Sequence, residues 1–384
     1  MKRLAVSLFP VVVLGLTVTL VSPLAAEQAA KAPAAPAQKA AAPAAAPALS
    51  AATRAQVLAS LKKGSAFLKK EQGADGLWDK NVALSGVAVL ALMNEPGVTK
   101  ADARKSVNKT LDAMAKLAKP DGGMYEEAIP HYFTAVCVSA LAAGGRPQDQ
   151  PLVKAGAKYL VENMLDEGEN IAKTDFWYGG MGYGGATRPD RKADIISLEY
   201  ALRAMHDAEL PANDAAWQKA ITFLQRTQNH SETNDQKWAA NDGGFIYYPG
   251  FSYNTEGSTK SYGSASYAGV LSYTWANMKK TDPRVVSVMK WVRDNYNIDE
   301  NPGVGQKAVY YYYMVMAKAL SAAGETTFTD ATGRKHNWRE ELSQKLISLQ
   351  KPEGFWINPV KDEMQDNPHL VTAFVMSTFE AILK

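Results

Sequence analysis

Residues 72–78 read Gln72-Gly73-Ala74-Asp75-Gly76-Leu77-Trp78, and residues 350–356 read Gln350-Lys351-Pro352-Glu353-Gly354-Phe355-Trp356. Both fit Gln-x-x-x-Gly-x-Trp. With 14 Gln, 28 Gly and 8 Trp in 384 residues, chance supplies roughly 0.02 such matches, so two of them mark a repeated structural unit. The first lies between helical patterns at 57–71 and 83–93, the second between patterns at 338–349 and 370–383. An amide at the head of such a turn can satisfy orphan groups at a helix end, and an aromatic ring can lock the turn in place.

The same unit recurs along the chain with a period of roughly 45 to 65 residues. Helix pairs are expected at 103–117 with 132–143, 152–164 with 195–208, 215–227 with 264–278, and 284–295 with 309–322. Their turns carry Asp121-Gly122-Gly123-Met124-Tyr125, Trp177-Tyr178-Gly179-Gly180-Met181-Gly182-Tyr183, Asp242-Gly243-Gly244-Phe245 and Pro302-Gly303-Val304-Gly305. Strand periodicity is nearly absent, so the chain reads as all-α, with six hairpins and twelve helices. The first helix of a pair has a charged face, as in Lys62, Lys63, Lys69 and Lys70, whereas the second is rich in Ala, Val, Leu, Met and Tyr. That contrast predicts two concentric rings of helices, the polar-faced set outside. An open array needs a polar cap on its last repeat, yet 370–383 is as apolar as the middle of the chain, so the array is expected to close into an α/α toroid.

The two Gln-x-x-x-Gly-x-Trp turns resemble the QW repeat of squalene and oxidosqualene cyclases. Gly243-Gly244-Phe245-Ile246-Tyr247, followed by Ser261-Tyr262-Gly263-Ser264-Ala265-Ser266-Tyr267-Ala268-Gly269, is similar to the exported prenyltransferase/squalene-oxidase-repeat proteins. The resemblance covers residues 53–384 and implies the terpenoid cyclase/prenyltransferase toroid. It implies less about activity, because one fold hosts many chemistries. The Asp-x-Asp-Asp acid of alkene-protonating cyclases and the Asp-Asp pair of ionising terpene synthases are both missing. The Asp, Cys and His zinc set of protein prenyltransferases is missing too, since Cys137, the sole cysteine, falls in the second hairpin and has apolar neighbours that suit a buried thiol. No metal set and no cofactor are implied.

Polar residues at the start of the inner helices are therefore the site candidates. Asp190 and Asp194, four apart, read either as a paired acid with split pKa values or as a solvated residue followed by a helix cap. His131, after Pro130, and His369, after Pro368, occupy matching repeat positions and read as site or packed histidines. Glu126, Glu127, Asp362, Glu363 and Asp366 read as solvated loop residues. Eleven of the 17 tyrosines fall between Tyr247 and Tyr313, and Tyr310, Tyr311, Tyr312 and Tyr313 are consecutive. Four consecutive residues cover every face of a helix, so at least one must point into the ring. Tyr262, Tyr267, the four-tyrosine run and Trp177 are the candidate lining of an aromatic cavity; core packing is the competing reading. Asp194, Asp190 and His131 are the catalytic candidates.

Lys2 and Arg3 precede an apolar run from Leu4 to Val21 and a small-residue stretch ending at Ala26, which reads as a secretory signal at 1–26. Residues 27–52 are mostly Ala, Pro, Lys and Gln, a composition for a disordered tether. A periplasmic or extracellular protein is expected, membrane-tethered if the signal is retained, with peripheral membrane association as a further expectation. The net charge of +3, from 42 basic and 39 acidic residues well mixed, gives no footprint for nucleic acid. The expected partner is an apolar or isoprenoid small molecule. The competing readings are a carbohydrate-active enzyme, polysaccharide lyase or glycosidase, on the same toroid, and a non-catalytic binding scaffold.

Overall fold

The computed structural model describes residues 49–126, 129–184, 192–361 and 364–384. The expected signal and nearly all of the tether lie outside these. Ser50 already caps the first helix through its side chain, and Ala51 and Ala52 are helical.

The described residues form six helical hairpins: α1 (Ala51–Glu71) with α2 (Val82–Met93), α3 (Lys100–Ala115) with α4 (Pro130–Gly144), α5 (Gln150–Glu162) with α6 (Ile195–Asp207), α7 (Ala215–Thr227) with α8 (Gly263–Trp275), α9 (Pro283–Asp294) with α10 (Val309–Ala323), and α11 (Trp338–Leu349) with α12 (Pro368–Leu383). A two-stranded hairpin, β1 (Phe328–Thr329) with β2 (Lys335–His336), sits between α10 and α11. Two-residue strands carry no readable alternation, which is why the sequence did not announce them.

The even-numbered helices pack in order, α2 on α4, α4 on α6, α6 on α8, α8 on α10 and α10 on α12, and α12 returns to α2. This is a closed inner ring. The layers follow from composition: every residue of α2 is buried, whereas α3 buries only Ala103, Val107, Thr110, Leu111 and Met114, a single helical stripe. Side-chain caps from Asn81, Thr99, Asp194, Asp214, Asp282, Asn337 and Asn367 start their helices. Pro130, Pro283 and Pro368 occupy first-turn positions, where a missing N–H costs nothing.

The two Gln-x-x-x-Gly-x-Trp turns share one geometry. The indoles of Trp78 and Trp356 donate to the carbonyls of Leu68 and Leu346 at 2.8 and 2.7 Å, satisfying the last turns of α1 and α11. Gln72 Nε2 donates to Gly76 O and Thr110 Oγ1, both at 3.0 Å, and Gln350 Nε2 to Gly354 O at 2.9 Å and Ser60 O at 3.0 Å. Each amide thus ties its own turn to the next outer helix, and Gln350 does so across the seam where the chain's last hairpin meets its first. Two further links cross that seam. Glu340 accepts from Ser50 N at 3.1 Å and from the Thr53 hydroxyl, and Asp79 Oδ2 accepts from Asn367 Nδ2 at 2.7 Å and pairs with His369 Nδ1 at 2.8 Å. Among the described residues no helix is long and apolar enough to cross a membrane.

Candidate functional site in the ring interior

Five charged residues occur within the six inner helices: Glu199, Arg203 and Asp207 on α6, Lys318 on α10 and Glu380 on α12. Spacings of four put the three α6 residues on one helix face. Lys318 lies within electrostatic reach of all the other four. In a ring of six, α6 and α12 stand opposite each other and do not pack together, so the interaction of Glu380 with Arg203 crosses the middle. The same reasoning applies to Tyr311 on α10, which senses Tyr132 on the opposite helix α4 as well as Glu199, Tyr200 and Tyr262. These side chains therefore face the ring interior. Tyr132 and Tyr200 meet edge to face at 5.0 Å, and Tyr311 meets Phe374 of α12 at 5.9 Å. Tyr311 and Lys318, seven residues apart, share one face of α10 about 10.5 Å apart along the axis. The interior thus carries an aromatic tier and, towards the C-terminal ends of the inner helices, a charged tier.

The charges are unevenly paired. Arg203 Nε lies 3.5 Å from Asp207, whose carboxyl stays below its usual range despite burial because His206 and Arg203 stabilise the anion. Glu199 Oε1 accepts from the Trp275 indole at 3.0 Å; burial pushes its pKa up, and Trp275, Arg203 and Lys318 only partly offset this. Burial pushes Glu380 well up as well, and its Oε1 has no hydrogen-bond partner among the described residues. Burial, with Arg203 adding repulsion, lowers Lys318 to about 7, against the pull of Glu199, Glu380 and Asp207. Among the described residues no hydrogen bond or salt bridge holds its ammonium. Glu199 and Glu380 are buried while Lys318 is partly exposed, so two weakened acids lie beside an untethered lysine at the edge of the interior. The Tyr311 hydroxyl is likewise buried and unpartnered among the described residues.

The residues singled out from sequence fall in several places. Asp194 is buried at the head of α6, with Oδ1 accepting from Ile196 N at 3.1 Å and Ser197 N at 2.9 Å and Oδ2 accepting from Ser197 Oγ at 2.9 Å. Asp190 lies outside the described residues. His131 packs against Tyr159 at 5.9 Å and beneath Gly184, and burial lowers its pKa. Tyr262 and Tyr311 reach the interior. Tyr267, Tyr312 and Tyr313 instead point at the outer layer, donating to Val292 O at 3.3 Å, Asn297 O at 2.7 Å and Ile298 O at 2.7 Å. Tyr310 packs edge-on to Tyr313 at 5.8 Å. Trp177 joins a run of rings through Phe176, Tyr248, Phe251 and Tyr253 that reaches Tyr262 at the mouth.

Attention to the starts of the inner helices passed over Glu199, Arg203, Lys318 and Glu380. The signal was available, because isolated charges inside otherwise apolar helices are costly unless they face a shared polar interior. Among the described residues no group of three His, Cys, Asp or Glu side chains is placed to hold a metal ion.

No protein-family model matches this sequence, and no curated protein matches it either. Solved structures do. A protein from Actinoplanes aligns at 15% identity over 85% of this chain and 100% of its own, with a TM-score of 0.54. The type II terpene cyclase MstE from Scytonema aligns at 13% identity over 85% of this chain and 98% of its own, with a TM-score of 0.53, and has also been solved with its substrate geranylgeranyl dihydroxybenzoate and its product merosterolic acid A. A polysaccharide lyase aligns at 12% identity over 86% of this chain and 98% of its own, with a TM-score of 0.51. The chain therefore shares the α/α toroid fold with these proteins, and identities this low carry the fold and not the chemistry.

Proposed function

We propose that this protein is an exported toroid whose ring interior binds an amphipathic small molecule, with an apolar, isoprenoid-type body against Tyr132, Tyr200, Tyr311 and Phe374 and a polar end at the charged tier. The convergence of every charged residue of the inner helices on one interior tier, beyond an aromatic one, carries this reading. A wholly apolar ligand would leave Lys318 and Glu380 unsatisfied, and a wholly polar one would waste the tyrosines.

Alkene protonation is disfavoured. It requires a carboxylic acid made stronger by its surroundings, and burial drives both Glu199 and Glu380 the other way. Such weak, proton-retaining acids suit a substrate with a polar oxygen.

The test is to export the full chain with its leader, recover it from the culture medium and envelope fractions, and extract it for mass spectrometry. A co-purifying apolar molecule with an oxygenated end, lost in Tyr311→Ala, is the expected result. A protein that stays cytoplasmic, or that carries no such molecule and takes up none from an isoprenoid lipid extract, sinks the proposal. A glycan reading draws on one separate observation, the aromatic run from Trp177 to the exposed Tyr253. Retention on insoluble polysaccharide, abolished by Tyr253→Ala, would favour it.

A further inference from the structure

A cavity of about 470 Å³ lies at the seam where the chain's last hairpin meets its first, a usual size for a small-ligand cleft. The last turns of α1 supply Phe67, Lys70 and Glu71, the α11–α12 turn supplies Glu353 and Phe355, and the head of α12 supplies His369. No single repeat contains this cavity; ring closure assembles it. Phe67 lies about 25 Å along α1 from Ser50, so the cavity opens at the end of the ring away from the junction with the Ala/Pro-rich segment.

The rings of Phe355 and His369 both pack on Phe67, at 5.1 Å and 34° and at 5.6 Å and 26°. Rings so close to parallel form one half-buried platform rather than the opposed walls of a cage. His369 is oriented by Asp79, whose Oδ2 lies 2.8 Å from Nδ1 and also accepts from Asn367 Nδ2 at 2.7 Å. Against partial burial, which acts to raise it, these two bonds hold the Asp79 carboxyl below its usual range. The proton on Nδ1 therefore faces Asp79, and Nε2, without a partner among the described residues, is the nitrogen left for a ligand. At the rim Lys70 pairs with Glu71 at 3.3 Å, whereas the exposed Glu353 carboxylate has no partner among the described residues.

We propose that the seam cavity binds an amino-sugar unit of a glycan, with the apolar face of the pyranose on Phe67 and Phe355, the ammonium at Glu353 and a hydroxyl at His369 Nε2. Each feature of the cavity then has a counterpart on the ligand: a flat apolar face for the platform, a cation for the unpaired carboxylate, and a hydroxyl for the oriented imidazole. A neutral sugar leaves Glu353 unanswered. A guanidinium from a peptide stacks and pairs but leaves the imidazole unused. An acidic sugar meets two carboxylates against one lysine. The cavity is separate from the ring interior, and the proposal does not depend on what the interior binds.

The full chain is titrated calorimetrically at pH 6 with the β-1,4-linked tetramer of glucosamine, with its N-acetylated form and with cellotetraose. The glucosamine tetramer is expected to bind at least tenfold more tightly than the other two. Glu353→Gln should remove that preference while changing cellotetraose binding less than twofold. Phe355→Ala should weaken the glucosamine tetramer at least tenfold and His369→Gln about fivefold, and Tyr253→Ala should leave it unchanged. No binding of the glucosamine tetramer, or a preference for it that survives Glu353→Gln, overturns the proposal. Binding abolished by Tyr253→Ala does so too, because the sugar then sits on the other aromatic surface. If Phe355→Ala loses its helical circular dichroism, Glu353→Gln decides alone, since that exposed side chain has no internal partner to lose.

Discussion

Tyr311 and Gly179 show how single residues carry opposite loads. The Tyr311 hydroxyl is buried without a partner among the described residues, so it has lost hydration and gained no bond in return. Tyr311→Phe should therefore raise the unfolding free energy by about 1 kcal/mol in urea titration, while weakening any ligand whose oxygen uses that hydroxyl. A loss of stability of similar size would mean that the hydroxyl is satisfied in solution. Gly179 is required by space as well as conformation: φ is +81°, and an added Cβ would lie 1.8 Å from the carbonyl oxygen of Lys219. Gly179→Ala should cost more than about 3 kcal/mol, read as a large drop in urea midpoint, because backbone on both sides must move. The sequence shows four glycines between 179 and 184, but not that this loop lies directly on α7.

At the scale of elements, each inner helix presents one stripe to the interior, and α10 presents Tyr311 and Lys318. The folded state lowers Lys318 from 10.5 to about 7. A group with a depressed folded pKa favours folding above its unfolded value, and that advantage is lost as pH falls through the window down to the folded value. Lys318 thus destabilises the ring increasingly from about pH 10 to 7 and by a constant amount below that. Lys318→Met should be more stable than the native chain by up to about 3 to 5 kcal/mol at pH 7, with the gap closing towards pH 10, in urea titrations at each pH. Glu380, raised by burial, acts in the other sense in both proteins: its contribution is present at low pH and lost as pH rises through its folded value. A gap independent of pH would show that Lys318 keeps its proton and is paired in solution.

For the whole molecule, closure is the decisive property. α12 packs against α10, α2 and α1, so it is the last element in sequence but an interior one in space. Arg54 Nη1 reaches Leu383 O at 3.5 Å, placing the start of α1 beside the end of α12. A permuted chain that joins Lys384 to Leu49 and opens between Thr332 and Gly333, in the exposed turn of the β1–β2 hairpin, should fold with a Tm within about 5 °C of the parent. A chain ending at Asn367 should not reach the native state, because two inner helices lose their shared neighbour. In an open array the truncated chain would stay folded apart from its last repeat. Thermal unfolding and sedimentation of the two proteins separate these outcomes.

The sequence by itself determined the repeat and its number. Alternating polar-faced and apolar helices can bury their surfaces only in two layers, and the two Gln-x-x-x-Gly-x-Trp turns, with an apolar final helix, already specified hairpins that close on themselves. It also indicated that one of four consecutive tyrosines must enter the ring. Only the tertiary structure decided that this one is Tyr311, because which face of α10 turns inward depends on the packing of α8 and α12. The charged tier was decided there too. Glu199, Arg203, Lys318 and Glu380 are up to 181 residues apart in sequence, and no local spacing brings such residues together. Ring closure does so, by setting opposite helices face to face across one interior.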